Sequence, residues 1–308
     1  MDIKKIILVI NELAGSKISK VFIPFLESRL NLNKYELKKV YYKSEKTLPE
    51  KINFHCSDEN TLFVVFGGDG TLNLVLNGIM NSNFIDNSYI LPLPFGSTNL
   101  FCKKLGIKSY KNAFELINKK NYVEVDVLKV EYGDDFSKRN YFFSWMSTGF
   151  DEIVVKDMYG FVKLVMGKLG YLLHGLINFL KHSFNDIKIK YNGNDLIGTY
   201  LIVGQVKYYG SRLFRPLFKS SLFDNKIDLF LIKSRKKSQI IYSLILIIFR
   251  SLFSLKFNSK YVEYVKSDEF LISSSNNKLF QIDGDLCGKL PAKVSMDDKK
   301  VKVLSPKK

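Results

Sequence analysis

Tryptophan occurs once and cysteine three times in 308 residues, and Cys56, Cys102 and Cys287 lie far apart with no pairing pattern. So few, scattered thiols exclude a disulfide framework and point to a reducing compartment. Histidine is as sparse: His55, His174 and His182 share no metal-ligand spacing with the cysteines, which argues against a structural zinc site. Long apolar runs are missing as well. The richest, Ile240 to Phe249, is about half of the ~20 residues that a bilayer-spanning helix needs. The opening MDIKKIILVINE loses its apolar character at Asn11 and Glu12, too soon for a signal-peptide core. No G-x-x-x-x-G-K-[ST] loop is present, which removes a Walker-type ATPase, and no strand–G-x-G-x-x-G–helix unit suggests a dinucleotide fold. No nucleic-acid-binding module is recognisable, so no nucleic-acid partner is expected.

What is present is ordinary globular material, 46% apolar and 25% charged, with a formal net charge of +17. Such a charge attracts an anionic partner: nucleic acid, phosphorylated small molecules or an acidic lipid surface. Part of it reflects composition, because Lys greatly outnumbers Arg while Ile, Asn, Tyr and Phe are abundant. The length suits two domains better than one. Up to about residue 120, short β-rich runs alternate four times with amphipathic stretches, for example TLFVVFGG followed by TLNLVLNGIM. That rhythm predicts an α/β N-terminal domain built on a parallel sheet, and near-continuous apolar strands such as LFVVF fit a sheet covered on both faces. Past Asn121 the alternation takes period two, with Asn192-Gly193 as a hairpin turn, predicting a mostly antiparallel β C-terminal domain. The expected boundaries are 1–121 for the nucleotide-binding domain, 122–290 for a β domain with helical insertions at about 151–182 and 237–256, and 291–308 for a C-terminal strand and tail that packs back on the first domain. The second insertion carries cations at both ends, so it reads either as a buried core helix or as one lying in a membrane interface.

Three strand ends carry chemistry. FVVFGGDGTLN stops a buried strand on Gly67 and Gly68, places Asp69 before Gly70, and resumes a helix at Thr71. Glycines at the carboxyl end of a parallel strand let backbone approach a ligand, and the helix-start N–H groups favour phosphate. An acid among phosphates implies Mg²⁺ or a hydrogen-bond duty to a nucleotide. LPLPFGSTNL ends another strand and presents Ser97, Thr98 and Asn99 at a helix start, and INELAGSK supplies Asn11, Gly15 and Ser16. Far downstream, QIDGDLCGKLP sets Asp283 and Asp285 around Gly284. Alone it reads as an acidic β-turn; near a nucleotide, a carboxylate there could take a proton from an acceptor hydroxyl.

At these residues the sequence resembles the bacterial diacylglycerol kinase family, related to sphingosine and ceramide kinases and more distantly to NAD kinase. GGDGTLN, residues 67 to 73, matches the family's nucleotide loop without a change and adds Asn73 to the ATP-binding candidates. PFGSTNLFCKKLGI resembles the P-x-G-T-x-N stretch, with Ser97 where Thr is usual; NELAG resembles N-P-x-[AS]-G, and Ser44 stands about where a nucleotide-contacting Thr lies. STGFDEIVV resembles the segment that follows the crossover into the second domain. LFDNKIDLFLI resembles a loop that holds a structural Mg²⁺, which implies Asp224 as ligand with the backbone of Ser221 and Lys226, although Asn225 replaces Gly. DGD at 283–285 resembles D-G-E, the location of the general base.

The resemblance implies an α/β nucleotide domain, a C-terminal β-sandwich, ATP and Mg²⁺ as cofactors, Asp69 serving the metal, and Asp283 or Asp285 as the catalytic base. It further implies phosphorylation of diacylglycerol to phosphatidic acid by a cytoplasmic enzyme peripheral at the membrane face, and it leaves a homodimer open. Rivals are a kinase for a sphingoid base or phosphatidylglycerol, an NAD kinase (disfavoured because no G-S-T-A-Y stretch occurs), and a non-catalytic lipid- or nucleotide-binding regulator.

Overall fold

The computed structural model describes residues 2–12, 17–31, 35–42, 47–150, 184–210, 214–253, 259–276 and 278–306. Gly15, Ser44 and the insertion expected at 151–182 therefore lie outside the described residues. The chain divides into two compact units, one of residues 1–127, 141–143 and 297–308, the other of residues 128–140 and 144–296.

In chain order the first unit runs β1 (Lys5–Asn11), α1 (Lys17–Asn31), β2 (Glu36–Tyr42), α2 (Leu48–His55), β3 (Thr61–Gly67), α3 (Asp69–Met80), β4 (Ser88–Pro94), α4 (Leu100–Leu105), α5 (Ala113–Lys119) and β5 (Tyr122–Val125). Next come β6 (Leu128–Tyr132), β7 (Lys138–Phe142), β8 (Trp145–Thr148), β9 (Ile187–Tyr191), β10 (Asn194–Gly198), β11 (Tyr200–Gly204), β12 (Ile227–Ile232) and α6 (Lys237–Phe253). The chain closes with β13 (Val262–Ser267), β14 (Glu269–Ser273), β15 (Leu279–Ile282), β16 (Asp285–Lys289), β17 (Ala292–Met296) and β18 (Val301–Leu304).

The first sheet has the order β2-β1-β3-β4-β18-β5, parallel except for the β18–β5 pair. Every residue of β3 is buried, as a strand covered on both faces requires. The order turns back at β1: β2 lies on one side of it and β3 on the other. Asn11, Gly67 and Pro94 thus finish their strands at one end of the sheet, beside the point where the strand order turns back, which is where open parallel sheets take ligands. The C-terminal strand β18 enters this sheet between β4 and β5.

The second unit contains two antiparallel sheets, β10-β9-β14-β17-β6-β7 and β13-β12-β11-β8-β15-β16. The expected Asn192-Gly193 hairpin is present, with both residues at positive φ (45° and 75°) as a type I′ turn requires. One face of the second of these sheets carries Trp145, Tyr200, Ile202, Phe230, Ile232 and Val262 in an apolar cluster that Ile240 and Ile247 of α6 complete. The opposite stripe of α6 (Ile241, Tyr242, Ile245, Ile248, Phe249, Leu252, Phe253) is exposed. The helix is thus apolar nearly all round yet buried on one side only, so the core reading holds for that side. Among the described residues no helix is long and apolar enough to cross a membrane.

Candidate active site

The carboxyl ends of β3 and β4 are welded at the backbone. A Cβ on Gly96 would lie 2.4 Å from the Cα of Gly68, and one on Gly67 would lie 2.3 Å from the Thr71 hydroxyl, so both positions exclude a side chain. Asp69, in the first turn of α3, reaches across to the other loop. Its Oδ2 accepts from the Thr98 hydroxyl at 3.1 Å and from the Leu100 N–H at 3.0 Å, and its Oδ1 accepts from the Phe101 N–H at 3.2 Å. A six-residue helix such as α4 begins with N–H groups that have no intrahelical partner, and an acid borrowed from α3 supplies the cap. Asn99, at φ 49°, folds back on Gly96, accepting its N–H at 2.8 Å and donating to its carbonyl at 2.6 Å. Lys103 adds a donor to the Thr98 carbonyl. Gly70 sits in the first turn of α3, and Ser97 is exposed at the loop tip.

Thr71 collects a second set of partners. Its hydroxyl receives the Tyr42 hydroxyl at 2.7 Å and the Asn11 amide at 3.3 Å, so the ends of β1 and β2 are tied to the start of α3. Tyr42 was not among the sequence candidates. Its only sequence signal is its place as the last residue of a strand, where the register sets it opposite Asn11. Asn73 lies one turn further along α3, and its carbonyl accepts from Asn77, whose amide also brackets the backbone N–H and carbonyl of Tyr141 at 2.9 and 2.8 Å.

In the second unit Asp283 and Gly284 form the two-residue turn between β15 and β16, at φ 49° and 103°. The plain turn reading therefore holds for the backbone. The side chain does more: Asp283 Oδ1 accepts the Trp145 N–H at 2.9 Å while the Asp283 N–H donates to the Trp145 carbonyl at 3.0 Å, which fixes the carboxyl against β8. Asp285 opens β16 opposite Ile282. Beside them, on the face shared by Trp145 and Asp283, the Gln281 amide donates to the Ser147 and Tyr209 hydroxyls at 2.8 and 2.9 Å, and those hydroxyls lie 2.8 Å apart. Gln281 and Tyr209 were missed by sequence reasoning, because no local pattern brings residues 72 positions apart together.

The expected structural Mg²⁺ loop does not fit its metal. Asp224 forms an ion pair with Lys266 and accepts the Lys226 N–H at 3.4 Å, Ser221 uses its hydroxyl to accept from the Phe223 N–H at 3.1 Å, and the Lys226 ammonium pairs with Asp268 at 2.7 Å. Both Asp224 oxygens are thus taken by protein donors, and Asn225 takes the left-handed conformation (φ 51°) where the family pattern has Gly. Fully buried Asp228 accepts the Tyr264 hydroxyl, and burial pushes its carboxyl up to about 6 against the pull of Tyr264 and Lys266. Burial lowers the Lys266 ammonium, but the Asp224 and Asp228 carboxylates outweigh it and leave it raised.

Comparisons with known proteins bear on this arrangement. Residues 5–130 match the family described as diacylglycerol kinase catalytic domain. A diacylglycerol kinase of Bacillus subtilis is 25% identical over 255 residues, covering 81% of this chain and 79% of the relative. A diacylglycerol kinase of Staphylococcus aureus is 24% identical over 315 residues, covering 98% of this chain and 93% of the relative. A crystal structure of a diacylglycerol kinase from Bacillus anthracis aligns over 100% of this chain and 98% of its own, with a TM-score of 0.69 at 19% identity, a likeness of fold.

Proposed function

We propose that this chain, whose residues 5–130 match the diacylglycerol kinase catalytic domain, is a lipid kinase that transfers the γ-phosphoryl group of ATP to the hydroxyl of diacylglycerol, giving phosphatidic acid. The observation that carries the nucleotide end is the Gly68–Gly96 contact locked by Asp69. It leaves bare backbone and the start of α3 at the carboxyl end of β3, a setting that suits phosphate. ATP is taken as its Mg²⁺ complex against Asn11, Gly67 to Thr71, Asn73 and Ser97 to Asn99, with Gly15 and Ser44 as the family's further contacts. Asp69 already accepts three donors on two oxygens. With Mg²⁺–ATP bound, Asp69 would hold the ion or its water shell through its remaining acceptor capacity.

Transfer is a displacement in line. The acceptor oxygen attacks the γ-phosphorus as the bond from that phosphorus to the β–γ bridging oxygen breaks; ADP leaves with the electron pair, and the hydroxyl proton passes to Asp283, with Asp285 beside it. The choice of diacylglycerol rests on the names of the Bacillus subtilis and Staphylococcus aureus relatives. The acceptor is a membrane lipid, and the exposed apolar stripe of α6, with Lys236 and Lys237 at its start, gives the enzyme a peripheral docking face for anionic lipid at the cytoplasmic side.

The test is transfer from labelled ATP to a panel of lipid alcohols in mixed micelles. Diacylglycerol is expected to be labelled in preference to sphingoid bases and phosphatidylglycerol. Labelling of another alcohol with diacylglycerol left untouched refutes the acceptor, and labelling of none refutes the reaction.

A further inference from the structure

The loop from Ser221 to Lys226 leads into β12 and carries the Asp224 that the family pattern assigns to a structural divalent cation. In the structure that carboxylate has a different partner. Strand register sets Lys266 of β13 opposite Asp228 of β12, and Tyr264 opposite Phe230. The Lys266 ammonium pairs with Asp224 and lies 3.5 Å from Asp228 Oδ2, while Asp228 Oδ1 accepts the Tyr264 hydroxyl. The remaining Asp224 oxygen accepts the Lys226 N–H at 3.4 Å, and the Lys226 side chain is drawn away to Asp268. Two carboxylates and one ammonium thus form a closed set between the loop and the sheet. A Mg²⁺ ion demands about six oxygens in a near-octahedral shell. Here its neighbours at Asp224 would be an N–H donor and an ammonium at contact distance.

We propose that the ammonium of Lys266 is the built-in counter-ion of this loop, standing where relatives of the family pattern place a metal, so that the loop is held without Mg²⁺. Lysine suits the role: its compact ammonium offers three donors on a flexible stem, enough to bridge Asp224 and Asp228 at once. The chain then needs divalent metal for its nucleotide but not for its fold. This inference rests on the Asp224–Lys266–Asp228 geometry, not on the acceptor assigned above.

The experiment uses the full chain without nucleotide, so that metal carried by ATP does not intrude. Thermal unfolding is followed in EDTA and in millimolar MgCl₂ for the wild type, Asp224→Asn, Lys266→Met and Lys266→Arg. The wild type should melt at the same temperature in both solutions. Lys266→Met should melt lower by at least ~2 °C, the shift that accompanies the loss of one modest interaction in a chain of this size, and Lys266→Arg should recover most of the loss. A wild-type melting temperature that rises with Mg²⁺, the rise being abolished in Asp224→Asn, overturns the proposal, as does a Lys266→Met protein that melts like the wild type. If Lys266→Met does not fold, the Mg²⁺ response of the wild type and Asp224→Asn still decides the question.

Discussion

Gly68 and Gly96 meet backbone to backbone: a Cβ on Gly96 would stand 2.4 Å from the Gly68 Cα. Main chain cannot swing aside as a flexible side chain can, so Gly96→Ala must push the two strand ends apart. The expected cost is that of overpacking, ~1–3 kcal/mol, together with a raised KM for ATP. Gly284→Ala is the control. Its Cβ meets nothing within 4 Å and only its φ of 103° resists, so the loss should be about 1 kcal/mol with KM for ATP unchanged. Urea unfolding and ATP kinetics of both variants check this.

Asp69 ties one loop to the other through three donors. Asp69→Ala should strand the Leu100 and Phe101 N–H groups, destabilising by ~1–3 kcal/mol, and abolish transfer. Asp69→Asn keeps one acceptor oxygen, so it should recover part of the stability while activity stays low. Full activity in Asp69→Asn would remove the charge of this residue from the mechanism.

Asp283 is at once a turn residue and the proposed base, and the two duties separate by substitution. Asparagine tolerates φ 49° and can still accept the Trp145 N–H. Asp283→Asn should therefore fold normally while kcat falls by at least ~100-fold, the lower range of general-base effects. Asp283→Ala should lose both stability and activity. Circular dichroism melting beside labelled-ATP transfer distinguishes the cases; an Asp283→Asn enzyme of wild-type kcat transfers the base role to Asp285.

Near neutral pH, His55 contributes to the pH response of stability in the first unit. Burial, then the Lys5 and Lys38 ammoniums, hold His55 below its ordinary 6.5, with Glu36 opposing. Between the lowered folded value and 6.5 the unfolded chain binds the extra proton, so stability falls as pH drops through that window and levels off once the folded histidine also titrates. Above 6.5 both states are neutral and the residue contributes nothing. His55→Gln should flatten this part of a melting-temperature profile taken between pH 7.5 and pH 5; an unchanged slope would assign the response elsewhere.

Docking through α6 predicts sedimentation with anionic vesicles that weakens as salt rises and is poor with zwitterionic ones. Phe249→Ser with Leu252→Ser removes two exposed residues, 50% and 53% accessible, without touching the buried Ile240 and Ile247. The double variant should keep its melting temperature and lose vesicle binding. Binding retained at wild-type strength moves the lipid contact off this helix.

The sequence by itself determined the parallel sheet, the antiparallel half and the glycine loop. Burial on both faces of LFVVF, period-two alternation past Asn121, and glycines beside Asp69 are local patterns that need no partner to be read. The Asn-Gly and Asp-Gly hairpins were legible for the same reason, since positive φ is a property of the residue itself. Only the tertiary structure decided where Asp69 sends its hydrogen bonds, that Tyr42 joins Asn11 on Thr71, and that Lys266 faces Asp224. Each of these joins residues 29 or more positions apart. Their pairing is set by strand order and register, and those follow from packing of the whole sheet.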